Sequence, residues 1–282
     1  MKKVVERVLI FIIGVPAFFS LIYFLPFCRH LAYNIFAILF SAVGAVEFSA
    51  MLEKKQIHIS KIKACILGAL TPFAATLTIN FNFPESIIPI IIISGAGWVL
   101  LSQVFSRSEN MDTVINRLLG YFSVMIYPGF FIYWAVKMTI WGNSLAIVLY
   151  LLIVFVNDSV AWLTGSLFGK NNRGLIPASP NKSIVGFIGG LIGTIILCVG
   201  AQKLFPGIFG TSSSVLLVVV LATCTGIAGS LGDLAESAIK RSCNVKDSGR
   251  LMLGRGGILD SIDSIAVAAP VYFLLYNIFF FG

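Results

Sequence analysis

Residues Gly232 to Asp263 read GDLAESAIKRSCNVKDSGRLMLGRGGILDSID, and the way this stretch is bounded decides the fold. It carries Asp233, Glu236, Asp247, Asp260 and Asp263, from a chain with twelve acidic residues, together with Lys240, Arg241, Lys246, Arg250 and Arg255. Only 11% of the 282 residues are charged, so this is a local concentration. Apolar sequence closes on it from both sides, Val215 to Ala222 before it and Ile265 to Phe281 after it. A helix needs about 20 apolar residues to cross the hydrocarbon layer. A polar, mixed-charge segment held between such runs is where chemistry is expected.

Outward from that stretch, the rest of the chain repeats the apolar pattern. It is 58% hydrophobic with a mean hydropathy of +0.96, too apolar for a water-soluble domain. Period-two alternation, the mark of a membrane barrel, is not visible. Nine spans are expected, at about 4–26, 31–51, 62–80, 86–105, 118–138, 143–168, 184–204, 213–236 and 259–281. The fold class is therefore all-α, a polytopic integral membrane protein with a cytoplasm-facing polar cavity. It reads as one membrane domain over 1–282, with a soft division into N-terminal spans (1–140) and spans that carry the chemistry (141–282). The first apolar run follows Lys2, Lys3 and Arg7 and imitates a signal peptide, but it lacks a clear cleavage site and is expected to be retained.

Basic residues orient these spans. With the N-terminus in the cytoplasm, only Arg29, Lys137 and Lys203 of the twenty Lys and Arg residues fall outside. The net charge of +8 is then explained by cytoplasmic loops facing anionic lipid, and no nucleic-acid partner is needed. The five cysteines show no CxxC pair, which argues against a disulfide framework or zinc site. His30 and His58 are expected in solvated loops.

An acidic side chain at a helix centre costs about 2.5 to 3.5 kcal/mol on insertion scales. Glu47, Asp158, Asp233, Asp260 and Asp263 all fall in or beside spans, each toward the cytoplasmic end. Asp260 and Asp263 are three apart and share a helix face; Asp233, Ser237 and Lys240 form another stripe. Carboxylates facing one another beside lysines and arginines suit magnesium and a polyphosphate. Interhelical ion pairs that only lock the bundle are the competing explanation. A second polar segment, GSLFGKNNRGLIPASPNKSIVGFIGG, runs from Gly165 to Gly190. There Ser179, Lys182 and Ser183 offer phosphate-type donors before a helix expected from about Ile184. Gly165-x-x-x-Gly169-Lys170 is one residue short of a P-loop and lacks the following hydroxyl. The pairs Gly186/Gly190 and Gly189/Gly193 indicate close helix packing.

Ser237-x-x-Lys240-Arg241-x4-Lys246-Asp247-x-Gly249, followed by Gly254-Arg255-Gly256-Gly257-x-x-Asp260-Ser261-x-Asp263, closely resembles the signature of the phosphatidate cytidylyltransferase family. Asn157-Asp158, Phe168-Gly169-Lys170 and Ser179-Pro180-x-Lys182-Ser183 resemble the family's other polar segment. Arg255 stands where the family has histidine, Ser261 where it has arginine, and Val185 where a glutamate is common. The resemblance covers about residues 150 to 264.

The resemblance implies a nucleotidyltransferase that joins CTP to phosphatidic acid within membrane lipid, using magnesium alone or with a second cation. It implies metal carboxylates at Asp233, Asp260 and Asp263, and catalytic phosphate binding by Lys240 and Arg241. It further implies substrate contacts from Asn157, Asp158, Ser179, Lys182, Ser183, Ser237, Lys246, Asp247 and Arg255. Localisation in the cytoplasmic (inner) membrane follows, and a homodimer stays open. Two alternatives also remain: a transporter of a phosphorylated metabolite, disfavoured by the lack of inverted repeats, and a CDP-alcohol phosphotransferase-like enzyme, whose D-G-x2-A-R element is absent.

Overall fold

The computed structural model describes residues 13–105, 111–174, 176–210, 213–252 and 256–281. Among them the chain forms helices and turns, with only two isolated bridges of extended backbone, Arg173 to Ser183 and Met252 to Gly256. Helix α1 is the short apolar Val15–Phe24. Among the described residues, eight further helices are long and apolar enough to cross a membrane: α2 Phe27–Glu53, α3 Lys61–Phe81, α4 Ile87–Val104, α5 Met111–Trp141, α6 Ser144–Phe168, α7 Ile184–Leu204, α8 Val215–Ser242 and α9 Leu259–Phe281. The protein is therefore all-α and polytopic, as expected, and eight of the nine expected spans agree with these helices to within a few residues at most ends. Of the first expected span, 4–26, residues 4–12 lie outside the described residues and only the short α1 is described.

The departures have local causes. Helix α8 runs to Ser242, which puts Lys240 and Arg241 on its last turn rather than in a loop; cations there suit the helix dipole. His30, expected in solvent, is buried at 1% exposure. Cys28, Arg29 and His30 hold left-handed backbone angles, so regular α geometry in α2 starts just after them. Helix α5 is composite: Met125–Phe130 widens into a π turn around Pro128, whose missing N–H breaks the regular ladder.

Two compact units emerge: residues 1–140 with 242–262, and residues 141–241 with 263–282. The segment 242–262 thus accompanies the N-terminal spans in the first unit. In the first unit, α2, α3 and α5 meet at Ser41, whose Oγ lies 2.6 Å from the Pro128 carbonyl and 2.7 Å from that of Gly68. In the second unit, the glycine face of α7 lies directly on α6. A Cβ at Gly186 would stand 2.7 Å from the Ala161 carbonyl, and one at Gly190 2.7 Å from that of Asn157. Ser183 caps α7, its Oγ accepting from Gly186 N at 3.0 Å. On α9, Tyr272 donates to the Ala146 carbonyl at 2.8 Å, tying the helix to α6.

Candidate active site

Helices α6, α7 and α8 of the second unit surround a cavity of about 450 Å³. Its charged lining comes from Asp158 on α6, Asp233 on α8, and Arg173 and Lys182 in the connection between α6 and α7. Trp162, Ile176, Phe187 and Leu234 supply an apolar wall. Lys182 Nζ stands 2.6 Å from Asp233 Oδ2, with both side chains about one-third exposed. Ser237 Oγ donates to the other Asp233 oxygen at 3.3 Å, realising the i, i+4 stripe on α8. Ser183 lines the cavity as well, but its oxygen already caps α7. Ser179 is absent from the lining and acts through backbone: its carbonyl accepts from Lys182 N at 3.1 Å, closing the turn that presents the lysine. Arg173 is held by a bond from its guanidinium to the Gly165 carbonyl at 2.9 Å.

Behind this lining lies a buried polar layer. Asn157, at 1% exposure, donates from Nδ2 to Ser230 Oγ at 2.8 Å, while its Oδ1 meets no donor. Asp263 is 7% exposed and lies within electrostatic reach of Asp233, Glu236 and Asp158. Glu236 is fully buried and ion-paired with Lys240 one turn along α8. Hence Lys240, expected to reach phosphate, is engaged with a carboxylate that the sequence reading passed over. The i, i+4 spacing of an acid and a lysine is the signal that would have found the pair.

The first unit holds the rest of the signature. Asp260, in the first turn of α9, accepts at Oδ2 from Ser248 N (2.9 Å), Ser248 Oγ (2.9 Å) and Gly257 N (2.7 Å). Three donors on one oxygen bind the two ends of the 248–257 loop to the start of the helix. Glu47, only 7% exposed, reaches the same place from α2, accepting from Leu259 N at 2.9 Å. Lys246 and Asp247 are exposed in this unit, as is Arg241 at the end of α8 in the second. Arg255 lies outside the described residues.

Among the described residues, no three His, Cys, Asp or Glu side chains converge tightly enough to hold a metal by themselves. The donor chemistry nevertheless fits a divalent cation. Asp158, Asp233, Glu236 and Asp263 bring four negative charges when ionised, and Lys182 and Lys240 return two. Magnesium at nucleotide sites takes one or two carboxylates and completes its shell with substrate phosphate and water.

Membrane-spanning helices around a cavity that is charged on one wall and apolar on another define a polytopic membrane protein with its polar chemistry set among the spans. Comparison with known proteins places it more closely. The sequence profile of the cytidylyltransferase family matches residues 5–279, and the chain belongs to that family. It is 38% identical over 181 residues to a phosphatidate cytidylyltransferase of Staphylococcus haemolyticus, covering 63% of this chain and 65% of that protein. The same name is carried by a Staphylococcus aureus protein, 44% identical over 125 residues (44% of this chain, 46% of that one). A Thermotoga maritima protein of that name is 30% identical over 215 residues, 76% of either chain. The match thus spans about two thirds of the first of these relatives and under half of the second.

Proposed function

We propose that this chain is a phosphatidate cytidylyltransferase of the cytoplasmic membrane, with its N-terminus in the cytoplasm. It joins CTP to phosphatidic acid and releases pyrophosphate. The observation that carries this is the make-up of the cavity in the second unit. Lys182 and Arg173 offer phosphate donors, Asp158 and Asp233 offer cation ligands, and Trp162 and Phe187 give an apolar flank suited to a lipid. The names carried by the staphylococcal and Thermotoga relatives support the same assignment.

In the reaction, an oxygen of the lipid phosphate forms a bond to the α-phosphorus of CTP. The bond from that phosphorus to the β-phosphate oxygen breaks, and pyrophosphate carries away the electron pair. No protein nucleophile is required, because positioning and charge supply the catalysis. Asp233 and Asp263 are the residues that would hold magnesium, and Asp260, one turn earlier on α9, contributes its charge to the same chemistry. When bound, the cation draws off charge that builds on the phosphate oxygens.

Lys182 and Arg173 bind phosphate oxygens, and Arg241 adds a cationic contact from the exposed end of α8. Lys240 acts indirectly, keeping Glu236, buried one helical turn earlier on α8, neutralised. Asn157 and Ser230 fix the polar layer behind Asp158, and the apolar wall limits the water that could hydrolyse CTP. The test is pyrophosphate release by purified protein in mixed micelles. Release should require CTP, phosphatidic acid and magnesium together; equal release without the lipid, or none with it, overturns the assignment.

A further inference from the structure

The N-terminal spans lie outside the signature segments, yet one of their side chains is built into the signature loop. Glu47 sits near the end of α2, and its Oε2 accepts from Leu259 N at 2.9 Å and lies 3.3 Å from Ser248 Oγ. Ser248 continues the connection to Asp260 Oδ2 at 2.9 Å, and Asp260 N donates back to Ser248 Oγ at 3.3 Å. One carboxylate from α2 thus holds the first turn of α9 and the residue that binds Asp260.

The loop is shaped to receive it. A Cβ built on Gly249 or on Gly257 would overlap the Glu47 carboxylate, so both glycines are needed for the loop to close over it. One turn earlier on α2, a Cβ at Gly44 would stand 3.3 Å from Ile262 and 3.5 Å from Leu259, which brings α2 against the start of α9. An ionisable side chain buried to this degree in a membrane helix is costly unless a specific contact depends on it. Lipid anchoring does not account for Glu47, because its carboxylate is buried against Ser248, Gly249 and Gly257.

We infer that Glu47 is a positioning residue for cytidylyl transfer, acting through Leu259 and Ser248 to set Asp260, Ser248, Gly249 and Gly257 in their working geometry. This rests on the function proposed above, and it gives the N-terminal spans an indirect share in the chemistry, through Glu47. Displacement of a reacting group by about 1 Å can cost on the order of a hundredfold in rate. Loss of the Glu47 contacts acts at that scale.

Cys243 provides a readout independent of turnover. It lies just before the loop in the same unit, 4% exposed, and burial pushes its thiol up while Lys55 pulls the other way. A buried, protonated thiol alkylates slowly; opening the loop exposes it. The experiment is maleimide labelling of the full chain in membranes, with Cys243 quantified by peptide mass spectrometry against the exposed Cys28. Turnover and melting temperature are measured on the same samples.

Glu47→Ala should increase Cys243 labelling and lower kcat by on the order of a hundredfold. Glu47→Gln keeps a carbonyl oxygen for Leu259 N and should restore both protection and most of the turnover. Glu47→Asp keeps the charge but falls short of the loop. It should lose kcat and some melting temperature while staying folded, so a failure of the alanine variant to fold leaves the inference testable. Wild-type kcat in Glu47→Asp, or opened labelling in Glu47→Ala with wild-type kcat, overturns the positioning role. Loop opening in a protein whose wild type shows no cytidylyl transfer would overturn the proposed function and, with it, the catalytic part of this inference, leaving only the structural contact.

Discussion

Lys182 Nζ and Asp233 Oδ2 are 2.6 Å apart, so the cation that precedes α7 closes on the carboxylate of α8 inside the cavity. Each is a group the proposed reaction needs for another purpose: the lysine for phosphate, the carboxylate for a divalent ion. The two neutralise each other across the cavity. On the proposed function, a cation and a nucleotide phosphate would exchange both partners, trading one ion pair for two.

Lys182→Met therefore separates binding from stability. Both side chains are about one-third exposed, and pairs this wet contribute about 0 to 1 kcal/mol. The melting temperature should barely move. A charge-assisted phosphate contact is worth about 1.5 to 3 kcal/mol, so KM for one substrate should rise roughly 10- to 150-fold. Unchanged KM for both CTP and phosphatidic acid would leave Lys182 as a partner of Asp233 and nothing more.

Lys240 and Arg241 are neighbours in sequence but should behave in opposite ways. Lys240 neutralises Glu236, which is fully buried on the same helix. Breaking a buried pair from one side costs about 3 to 5 kcal/mol, so Lys240→Ala should lower the melting temperature sharply. Arg241 is exposed, and Arg241→Ala should leave stability within about 0.5 kcal/mol while weakening substrate binding. Thermal unfolding followed beside substrate titration decides between them; equal stability loss in both variants would contradict the separate roles.

The sequence reading succeeded where hydropathy and short spacings decide the structure. Helix α7 was expected from about Ile184 and begins there, because Ser183 offers a cap and the glycines behind it let α6 approach. The stripe of Asp233 and Ser237 was legible because it lies within one helical turn. The contacts of Glu47 were not, since Ser248 and Leu259 are more than 200 residues away and only tertiary packing brings them together. His30 was misplaced because it falls between the expected spans 4–26 and 31–51, while hydropathy alone does not show its burial.

Asp233→Asn and Asp263→Asn test the proposed cation site. Asp263 is buried beside Asp233, Glu236 and Asp158, so a neutral amide relieves like-charge repulsion there. Its melting temperature should hold or rise, since an amide is cheaper to bury than a charge. Turnover should collapse in both variants, and the double variant should lose little more than either single one, as groups acting as a unit do. Asp158→Asn should be impaired less. Turnover against magnesium concentration is the measurement, and full activity of Asp263→Asn at wild-type magnesium demand would remove it from the site.

Asp260→Asn separates the two things Asp260 can do. Its Oδ2 accepts from Ser248 N, Ser248 Oγ and Gly257 N, and an amide oxygen turned to the same position accepts all three. The loop should stay closed, with Cys243 protected and the melting temperature near wild type. What the substitution removes is the charge. If Asp260 served only to anchor the loop, the asparagine variant would turn over normally, and Ser248→Ala, which deletes a donor from the same oxygen, would be the more damaging change. If its charge serves phosphoryl chemistry, the order reverses. Asp260→Asn should then lose turnover by about 2.7 kcal/mol or more, on the order of a hundredfold, as when one electrostatic group is removed from a preorganised site. Ser248→Ala keeps the carboxylate and two backbone donors, so it should lose roughly tenfold or less, as one hydrogen bond of about 1 kcal/mol would imply. We expect the second order. Normal turnover in Asp260→Asn would reduce this residue to a loop anchor.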